Sequence, residues 1–405
     1  MTGSPHALPN PPAVLDRAVD TATLAQLTTL RVGGPVSQYV QTQTEQELIE
    51  VIAYADLHSI PLLVLGGGSN IVASDDGFAG IVVRDARTGV REDLIDSCGG
   101  GSVTVPAGAN WDEFVRHALT QEWVGVESLI GIPGTVGAAP VQNIGAYGQE
   151  ISSVVASVRV YDREAQRPRM FALFELEFAY RDSLLKRSMS QPKADGSTWG
   201  PSPRYIVLEV SFQFRLGTLS APIAYGELAR KLGVEVGTRA NINAVAQAVL
   251  ELRAGKDMLL DPYVFGAGQG EPAAEPTYNR WSAGSFFTNP ILAAGSKLPE
   301  GAPTYPVHTA VPAATTGPSN GTIDPAVVKT SAAWLIERAG FTKGYAVHGP
   351  DSKASLSSVH TLALTNRGEA SAADIAELAR TVRAGVAAKY GITLVPEPVL
   401  VGITL

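Results

Sequence analysis

Residues 131–150 read GIPGTVGAAPVQNIGAYGQE, and this stretch decides the fold. It is too rich in glycine for an ordinary helix, because each glycine in a helix interior costs about 1 kcal/mol relative to alanine. Glycine has no side chain, so a glycine-rich main chain instead allows another group to approach it closely. The stretch therefore predicts a loop shaped around a ligand. Its glycines are Gly131, Gly134, Gly137, Gly145 and Gly148.

A second glycine cluster, GGGSN at 66–70, directly follows a predicted buried strand at 61–65. It is not a P-loop, since no lysine follows as G-x-x-x-x-G-K-[ST] requires. It is not a dinucleotide fingerprint either, because the residues that follow continue as a strand and not as a helix. Consecutive backbone N–H groups in such turns bind a pyrophosphate without lysine. A lone G-G-G is also often only a tight turn, and both interpretations stay open here.

Composition narrows the class of protein. The chain has 405 residues, 31 Lys+Arg and 39 Asp+Glu, a formal net charge of −8, so no global charge attracts nucleic acid or an anionic membrane. The single cysteine, Cys98, excludes a disulfide scaffold and a multi-thiolate metal site. No histidine pair has i, i+4 spacing, so no metal site is predicted. Residues 1–14 lack the basic and apolar regions of a signal peptide, so we expect a cytoplasmic protein without nucleic-acid or membrane partners.

Hydrophobic periodicity predicts an α+β fold. Strands are predicted at 37–41, 61–65, 81–84, 102–105, 154–161, 171–178, 205–215 and 392–404. Helices are predicted at 45–58, 110–121, 241–253, 325–339 and 372–390. The first of these helices places Leu48, Val51, Ile52 and Ala55 on one face. We expect a flexible tail at 1–20, a domain boundary near Gly217, and irregular loops at 266–277 and 311–322.

Ten stretches occur in the order in which one known family carries them. They are TLRVGGP at 29–35, LGGGSNIV at 65–72, AGANWDEFV at 107–115, GIPGTVGAAPVQNIGAYGQE at 131–150, FAYRDSLLK at 178–186, AYGEL at 224–228, LRAGKDMLLDP at 252–262, SAGSFFTNP at 282–290, SAAWLIERAGFTKG at 331–344 and LVPEPVLVG at 394–402. Through them the sequence resembles the UDP-N-acetylenolpyruvoylglucosamine reductase family, which uses FAD.

The resemblance implies a domain organisation and a reaction. It implies a PCMH-type FAD-binding domain at 21–217, built from α+β subdomains at about 21–86 and 87–217, and an α+β substrate-binding domain at 218–405. NADPH would reduce FAD, and the reduced flavin would deliver hydride to the enolpyruvyl group of a UDP-linked amino sugar. The implied product is UDP-N-acetylmuramate, a peptidoglycan precursor, and the implied enzyme is a monomer.

Three positions match the family's catalytic residues. Arg181 would stabilise the negative charge that builds on the substrate carboxylate, because the guanidinium charge is permanent and its fork fits a carboxylate. Ser285 would protonate the carbon intermediate. Glu397 would act as a protonated donor, if burial raises its pKa, or as an orienting group. The motif departs from the family at Pro398, where another residue is more usual.

The resemblance also assigns binding residues, with no metal. Tyr225 is as readily a core aromatic residue as a substrate contact. Lys256 suits a ligand that carries a diphosphate, because the protein as a whole is negative. The residues assigned to the nucleotide sugar are Tyr225, Lys256, Asn289 and Tyr305. The residues assigned to FAD are Gly66, Gly67, Gly68, Ser69, Asn70, Ile132, Pro133, Gly137, Ala138, Asn143 and Ala146.

Two other function classes remain to be weighed. One is a different flavin oxidase or dehydrogenase with the same FAD domain, against which the matches at Ser285 and Glu397 argue. The other is a non-catalytic nucleotide-sugar binder, which the three filled catalytic positions disfavour.

Overall fold

The computed structural model describes residues 10–96, 98–260, 277–309 and 321–405. Residues 1–9 of the predicted tail and most of the two predicted loops, 266–276 and 311–320, lie outside the described residues. The described part mixes helices with runs of consecutive strands, which agrees with the α+β prediction.

The strands are β1 Val36–Thr42, β2 Leu62–Val64, β3 Ile71–Ala73, β4 Phe78–Asp85, β5 Arg91–Asp96, β6 Gly100–Pro106, β7 Trp123–Val124, β8 Gly145–Ala146, β9 Gln149–Glu150, β10 Val155–Asp162, β11 Arg167–Ala172, β12 Tyr205–Leu216, β13 Ile291–Ala293, β14 Thr304–Tyr305, β15 Val327–Thr330, β16 Ala354–Leu356, β17 Leu364–Asn366 and β18 Val399–Val401. The α-helices are α1 Leu24–Leu27, α2 Glu45–Leu57, α3 Trp111–Thr120, α4 Ala138–Gln142, α5 Leu184–Arg187, α6 Gly226–Leu232, α7 Ile242–Ala254, α8 Ala332–Ala339 and α9 Ala372–Tyr390.

The N-terminal part is a parallel sheet in the order β1-β4-β2, covered by α2. The buried residues of α2 are the four that the periodicity predicts, Leu48, Val51, Ile52 and Ala55. Thr44 and Glu47 form a capping box at its first turn, which satisfies backbone N–H groups that the helix leaves unpaired. After β2 the chain turns through the first glycine cluster directly into β3, so this cluster is held at the carboxyl end of a buried strand.

The predicted flexible tail is wrong for the described residues from 13 onwards. Ala13–Arg17 forms a short 3₁₀ helix, and its Val14 and Leu15 are buried in the same core as α2. Val19 exchanges two backbone hydrogen bonds of 2.8 Å with Tyr39 in β1. The apolar pair and this bridge fix the segment despite the prolines that precede it.

The middle part is an antiparallel sheet in the order β11-β10-β12-β6-β5. Its core stacks Trp123 on Phe214 and packs Phe114 against Phe212. Helices α6 and α7 follow Gly217 in sequence, yet their buried residues belong to this same core. The expected boundary at 217 therefore does not separate two cores, because the chain continues to pack on the middle sheet as far as Leu259.

The C-terminal part combines the small sheets β13-β15-β14 and β16-β17 with helices α8 and α9. Its core also takes in Leu30, Val32 and Val72 from the N-terminal part. The last strand, β18, leaves this part and pairs in parallel with β3. The last strand therefore lies beside the first glycine cluster, which directly precedes β3.

Three predicted elements differ from the observed ones. The helix predicted at 325–339 is β15 followed by α8, because the Ser331 side chain caps the backbone N–H of Trp334 and starts a new helix there. The strand predicted at 171–178 ends at Ala172 and continues as a 3₁₀ turn. The strand predicted at 392–404 shrinks to β18, since Pro396 and Pro398 have no N–H to donate to a sheet.

None of the helices in the described ranges combines the length and the apolar character that crossing a bilayer requires.

Candidate active site

A cavity of about 510 Å³ lies where the three parts of the chain meet. It is lined by both glycine segments, by the turn that carries Arg181, and by two loops of the C-terminal part. The predicted residues that line it are Gly66, Gly67, Gly68, Ser69, Asn70, Ile132, Pro133, Gly137, Ala138, Ala146, Arg181, Tyr225, Lys256, Ser285 and Glu397.

The two glycine segments touch each other along one wall of this cavity. A Cβ atom on Gly67 would lie 2.7 Å from the Cα of Gly134, and the Ser69 hydroxyl donates a 3.0 Å hydrogen bond to the Pro133 carbonyl. Among the described residues, no acceptor takes a hydrogen bond from the backbone N–H groups of 66–70. Such a run of available N–H groups on a cavity wall fits a pyrophosphate. The residues present therefore fit the pyrophosphate of an FAD.

Arg181 is placed by a tight turn. Ala179 and Asp182 close this turn with two mutual backbone hydrogen bonds of 3.0 and 3.1 Å, and Arg181 at its tip has a φ of 55°. The guanidinium donates to the Gly145 carbonyl through Nη2, at 2.6 Å. Its Nε lies 3.0 Å from Oε1 of Glu397. Burial acts to lower the pKa of Arg181, but Glu397, Tyr180 and Glu150 together outweigh it and the net pKa is raised, so the guanidinium keeps its charge.

Ser285 and Glu397 are brought together by backbone pairing, although 112 positions of sequence separate them. The N–H of Glu397 donates to the Phe286 carbonyl at 2.8 Å, and Phe287 forms a bridge with Pro396. The strand β18 begins two residues after Glu397 and holds this segment against β3. The three predicted catalytic residues thus line one cavity from three separate loops.

Two polar residues of the cavity wall were not singled out from the sequence, although both lie in quoted motifs. Gln142 donates through Nε2 to Oε1 of Glu397 at 3.0 Å. Lys186 donates to Oε1 of Gln142 at 2.8 Å and to the Arg181 carbonyl at 3.0 Å. Burial lowers the pKa of Lys186, while Glu397 and Asp182 oppose that shift. Their contacts span up to 255 positions of sequence, which no local pattern reveals.

The predicted diphosphate contacts occupy another side of the cavity. Lys256 lies 2.7 Å from Oε2 of Glu227, and its ammonium stands 5.6 Å from the ring centre of Tyr147. Tyr147 and Tyr225 meet edge to face with centroids 5.8 Å apart. Burial raises the pKa of Tyr147 to about 12. Tyr225 is 41% exposed, so it is an accessible aromatic residue and not part of the core.

Asn143 does not line the cavity, which contradicts its predicted side-chain contact with FAD. It ends α4 in a left-handed conformation and is almost fully buried. Its amide donates to Glu150 at 3.0 Å and to the Ala179 carbonyl at 2.8 Å, and it accepts from the Ser152 N–H. Its side chain therefore links the 150–152 segment to the turn that places Arg181.

Asn289 and Tyr305 are also absent from the residues that line the cavity. The Asn289 side chain accepts a 2.9 Å hydrogen bond from the Ala332 N–H at the start of α8. Tyr305 lies on β14, opposite Lys329 of β15, and is 38% exposed. Their contact with a nucleotide sugar stays a prediction.

Comparisons with known proteins agree with this geometry. Residues 36–166 match the family described as an FAD binding domain, and residues 275–401 match the UDP-N-acetylenolpyruvoylglucosamine reductase C-terminal domain. These matches, with the described fold, confirm the predicted FAD-binding α+β architecture.

Similar proteins from several bacteria are UDP-N-acetylenolpyruvoylglucosamine reductases. The UDP-N-acetylenolpyruvoylglucosamine reductase of Cutibacterium acnes is 47% identical over 94% of this chain and 90% of its own length. That of Thermobifida fusca is 46% identical over 94% of this chain and 97% of its own length. The crystal structure of the enzyme from Thermus caldophilus, at 24% identity, superposes with a TM-score of 0.56 and covers 95% of this chain and 99% of that one. At such identity and coverage, the chain belongs to the UDP-N-acetylenolpyruvoylglucosamine reductase family.

Proposed function

We propose that this protein is a UDP-N-acetylmuramate dehydrogenase. It reduces UDP-N-acetyl-3-O-(1-carboxyvinyl)-glucosamine to UDP-N-acetylmuramate in peptidoglycan precursor synthesis, with FAD as cofactor and NADPH as reductant. The observation that carries the proposal is that Arg181, Ser285 and Glu397 line the same cavity as the two glycine segments. A non-catalytic binder would have no need for this constellation beside a flavin site.

The glycine segments would hold the cofactor. The N–H groups of 66–70 are placed to bind its pyrophosphate, and the close packing of Gly67 on Gly134 shapes the wall beside it. When bound, FAD supplies the hydride that saturates the enolpyruvyl double bond. The reaction as a whole converts NADPH, one proton and the enolpyruvyl sugar into NADP⁺ and the lactyl sugar.

Arg181 stabilises the charge that develops during this addition. Hydride attack on an enol ether conjugated with a carboxylate moves negative charge onto the carboxylate, and a guanidinium fixed nearby lowers the energy of that state. Its hydrogen bond to Gly145 and its contact with Glu397 fix the guanidinium in advance. Little reorganisation is then required when the substrate reacts.

Ser285 supplies the proton that completes the product. A hydroxyl is a weak acid, so protonation depends on the high basicity of the carbon intermediate and on the local field. Glu397 is held next to the serine loop by the backbone bond to Phe286. Its 3.0 Å contact with Arg181 supports a role as an orienting group.

The proposal also covers the contacts of the nucleotide diphosphate, the oligomeric state and the location in the cell. The diphosphate of the nucleotide would meet Lys256 and Tyr225, which both line the cavity. The proposal includes a monomeric enzyme. A reaction that consumes NADPH and a UDP-linked sugar supports a cytoplasmic location.

The two half-reactions, flavin reduction by NADPH and flavin reoxidation by the enolpyruvyl sugar, test the proposal when they are measured separately. We expect the purified protein to be yellow, NADPH to bleach the flavin anaerobically, and the enolpyruvyl sugar to restore the colour stoichiometrically. Ser285→Ala should leave the bleaching by NADPH intact and slow the recolouring about 10²–10⁴-fold, because only the second half-reaction requires the proton. A reduced protein that oxygen reoxidises but the enolpyruvyl sugar does not would favour a different flavin oxidase.

A further inference from the structure

A chain of hydrogen bonds leads from Lys186 to Glu397. The Lys186 ammonium donates to Oε1 of Gln142 at 2.8 Å, and Nε2 of Gln142 donates to Oε1 of Glu397 at 3.0 Å. Lys186 also donates to the Arg181 carbonyl at 3.0 Å, so its ammonium is fixed at two points. The three side chains all line the cavity.

The lysine determines how the glutamine amide is oriented. An ammonium has three donors and no acceptor, so it can face only the carbonyl oxygen of the amide. The amide NH₂ then necessarily points the other way, towards Glu397. A flipped amide would set NH₂ against the ammonium and the carbonyl oxygen against a carboxylate, and both contacts are repulsive.

The oriented amide in turn distinguishes the two oxygens of Glu397. Nε2 of Gln142 and Nε of Arg181 both lie 3.0 Å from the same atom, Oε1. No described residue donates a hydrogen bond to Oε2. The Gln142 hydrogen bond and the Arg181 ion pair both act on Oε1, which sets the rotation of the carboxylate and leaves Oε2 available to a ligand in the cavity.

We propose that Lys186 is a positioning residue that acts through Gln142 to fix the Glu397 carboxylate with Oε2 presented to the substrate. The inference rests on the proposed function, since it assigns Glu397 to the reaction. Among the described residues, the hydrogen bonds of Lys186 go to Gln142 and to the Arg181 carbonyl and not to Glu397 itself. The desolvation of its ammonium matters because a charge–dipole contact is stronger away from bulk water.

Kinetics of Lys186→Met test the inference. Methionine keeps the length and the apolar stem but removes the donor, so the Gln142 amide loses its fixed orientation. We expect kcat to fall about ten- to a hundredfold, since a misplaced catalytic group costs this much, while KM for the enolpyruvyl sugar changes less than twofold. Lys186→Arg restores a donor and should recover most of kcat. Lys231→Met, which breaks an exposed pair with Glu251, is the matched control and should keep full kcat.

A double-mutant cycle separates positioning from general support. In a Gln142→Leu background there is no amide to orient, so adding Lys186→Met should cost no further kcat. Additive losses would overturn the inference, as would a Lys186→Met protein with unchanged kcat or with its loss confined to KM. Flavin content and the thermal midpoint of each variant identify those that fold normally.

A structural measurement keeps the inference separate from the proposed function. In a crystal structure of Lys186→Met we expect the Gln142 side chain to leave Glu397 or to bind it in more than one orientation. An unchanged Gln142–Glu397 contact would overturn the inference whatever the substrate is. If the unmodified protein fails to reduce the enolpyruvyl sugar while the glutamine moves as expected, the proposed function falls and the positioning of Glu397 stands.

Discussion

The guanidinium of Arg181 and the carboxylate of Glu397 are in contact, with 3.0 Å between Nε and Oε1, although the residues come from distant turns of the chain. Each side chain is largely withdrawn from solvent, at 19% and 13% exposure. Each charge therefore depends on the other for compensation.

Arg181→Met should lower kcat about 10²–10³-fold, because the developing charge loses its main stabilising group. The change also leaves the Glu397 carboxylate without its partner, so we expect a lower unfolding midpoint. Steady-state kinetics and thermal unfolding measure the two effects. The control is Arg169→Met, since Arg169 is not among the residues that line the cavity and forms an exposed 3.5 Å pair with Glu175. Unchanged kcat in Arg181→Met would remove this arginine from the reaction.

Glu227→Gln should improve the apparent affinity for the nucleotide sugar. Glu227 holds the Lys256 ammonium at 2.7 Å, and an anionic ligand must compete with that carboxylate. A partly exposed ion pair is worth about 0.2–1 kcal/mol, so KM should fall by up to about fivefold, and the gain should shrink at high salt. The control is Glu251→Gln, which removes the same kind of pair with Lys231 away from the cavity. A higher KM would mean that Glu227 positions Lys256 for the ligand.

Gly67→Ala should weaken cofactor binding. The added Cβ would meet the Cα of Gly134 at 2.7 Å, and main chain cannot yield as a flexible side chain does. Overpacking of this kind costs about 1–3 kcal/mol and would push apart the loops that form the wall. Flavin absorbance per protein measures the loss. The control is Gly255→Ala, where φ is −63° and the nearest atom lies 3.5 Å from the new Cβ, and it should retain flavin.

His360 should make the folded state sensitive to acid. Burial, together with Lys256 and Lys343, lowers its pKa to about 4, against an ordinary value near 6.5; Glu227 acts in the opposite direction. Between these values the unfolded chain binds a proton that the folded one does not. The stabilising contribution is therefore complete above about pH 6.5 and is lost as pH falls towards 4, by roughly 2–3 kcal/mol.

His360→Gln should flatten this dependence. Urea unfolding at pH 7.5 and pH 4.5 measures the difference in unfolding free energy, which should shrink in the variant compared with the unmodified protein. The exposed His348→Gln serves as the control. An equal pH dependence in His360→Gln and the unmodified protein would show that other groups cause the acid sensitivity.

The elements predicted well are those whose signals are local. Helix α9 runs from Ala372 to Tyr390 as predicted, because Ser371 caps its start and Gly391 ends it in a left-handed conformation. Helix α7 likewise begins one residue after the predicted start at 241, because the Asn241 side chain accepts hydrogen bonds from its first turn. Such boundaries depend on side chains within a few residues of each other, which a sequence displays directly.

The features that the sequence did not predict depend on contacts between residues that are far apart in sequence. Nothing near Gln142 in sequence indicates that its amide meets Glu397, and nothing near Gly217 indicates that the following helices return to the middle core. The apolar residues at 325–339 fit a helix or a strand equally well, and pairing with β13 and β14 decides in favour of β15. The family resemblance identifies the positions of the site residues, whereas the hydrogen bonds that join these residues are visible only in the folded structure.

The parallel pairing of β18 with β3 has a consequence for synthesis. The strand that carries Glu397 to the cavity ends at Val401, while its partner begins at Ile71. A ribosome makes the glycine cluster and the arginine turn long before it makes this strand. A nascent chain can therefore form its middle core before the carboxylate proposed to take part in catalysis has been translated, and activity requires that β18 has emerged.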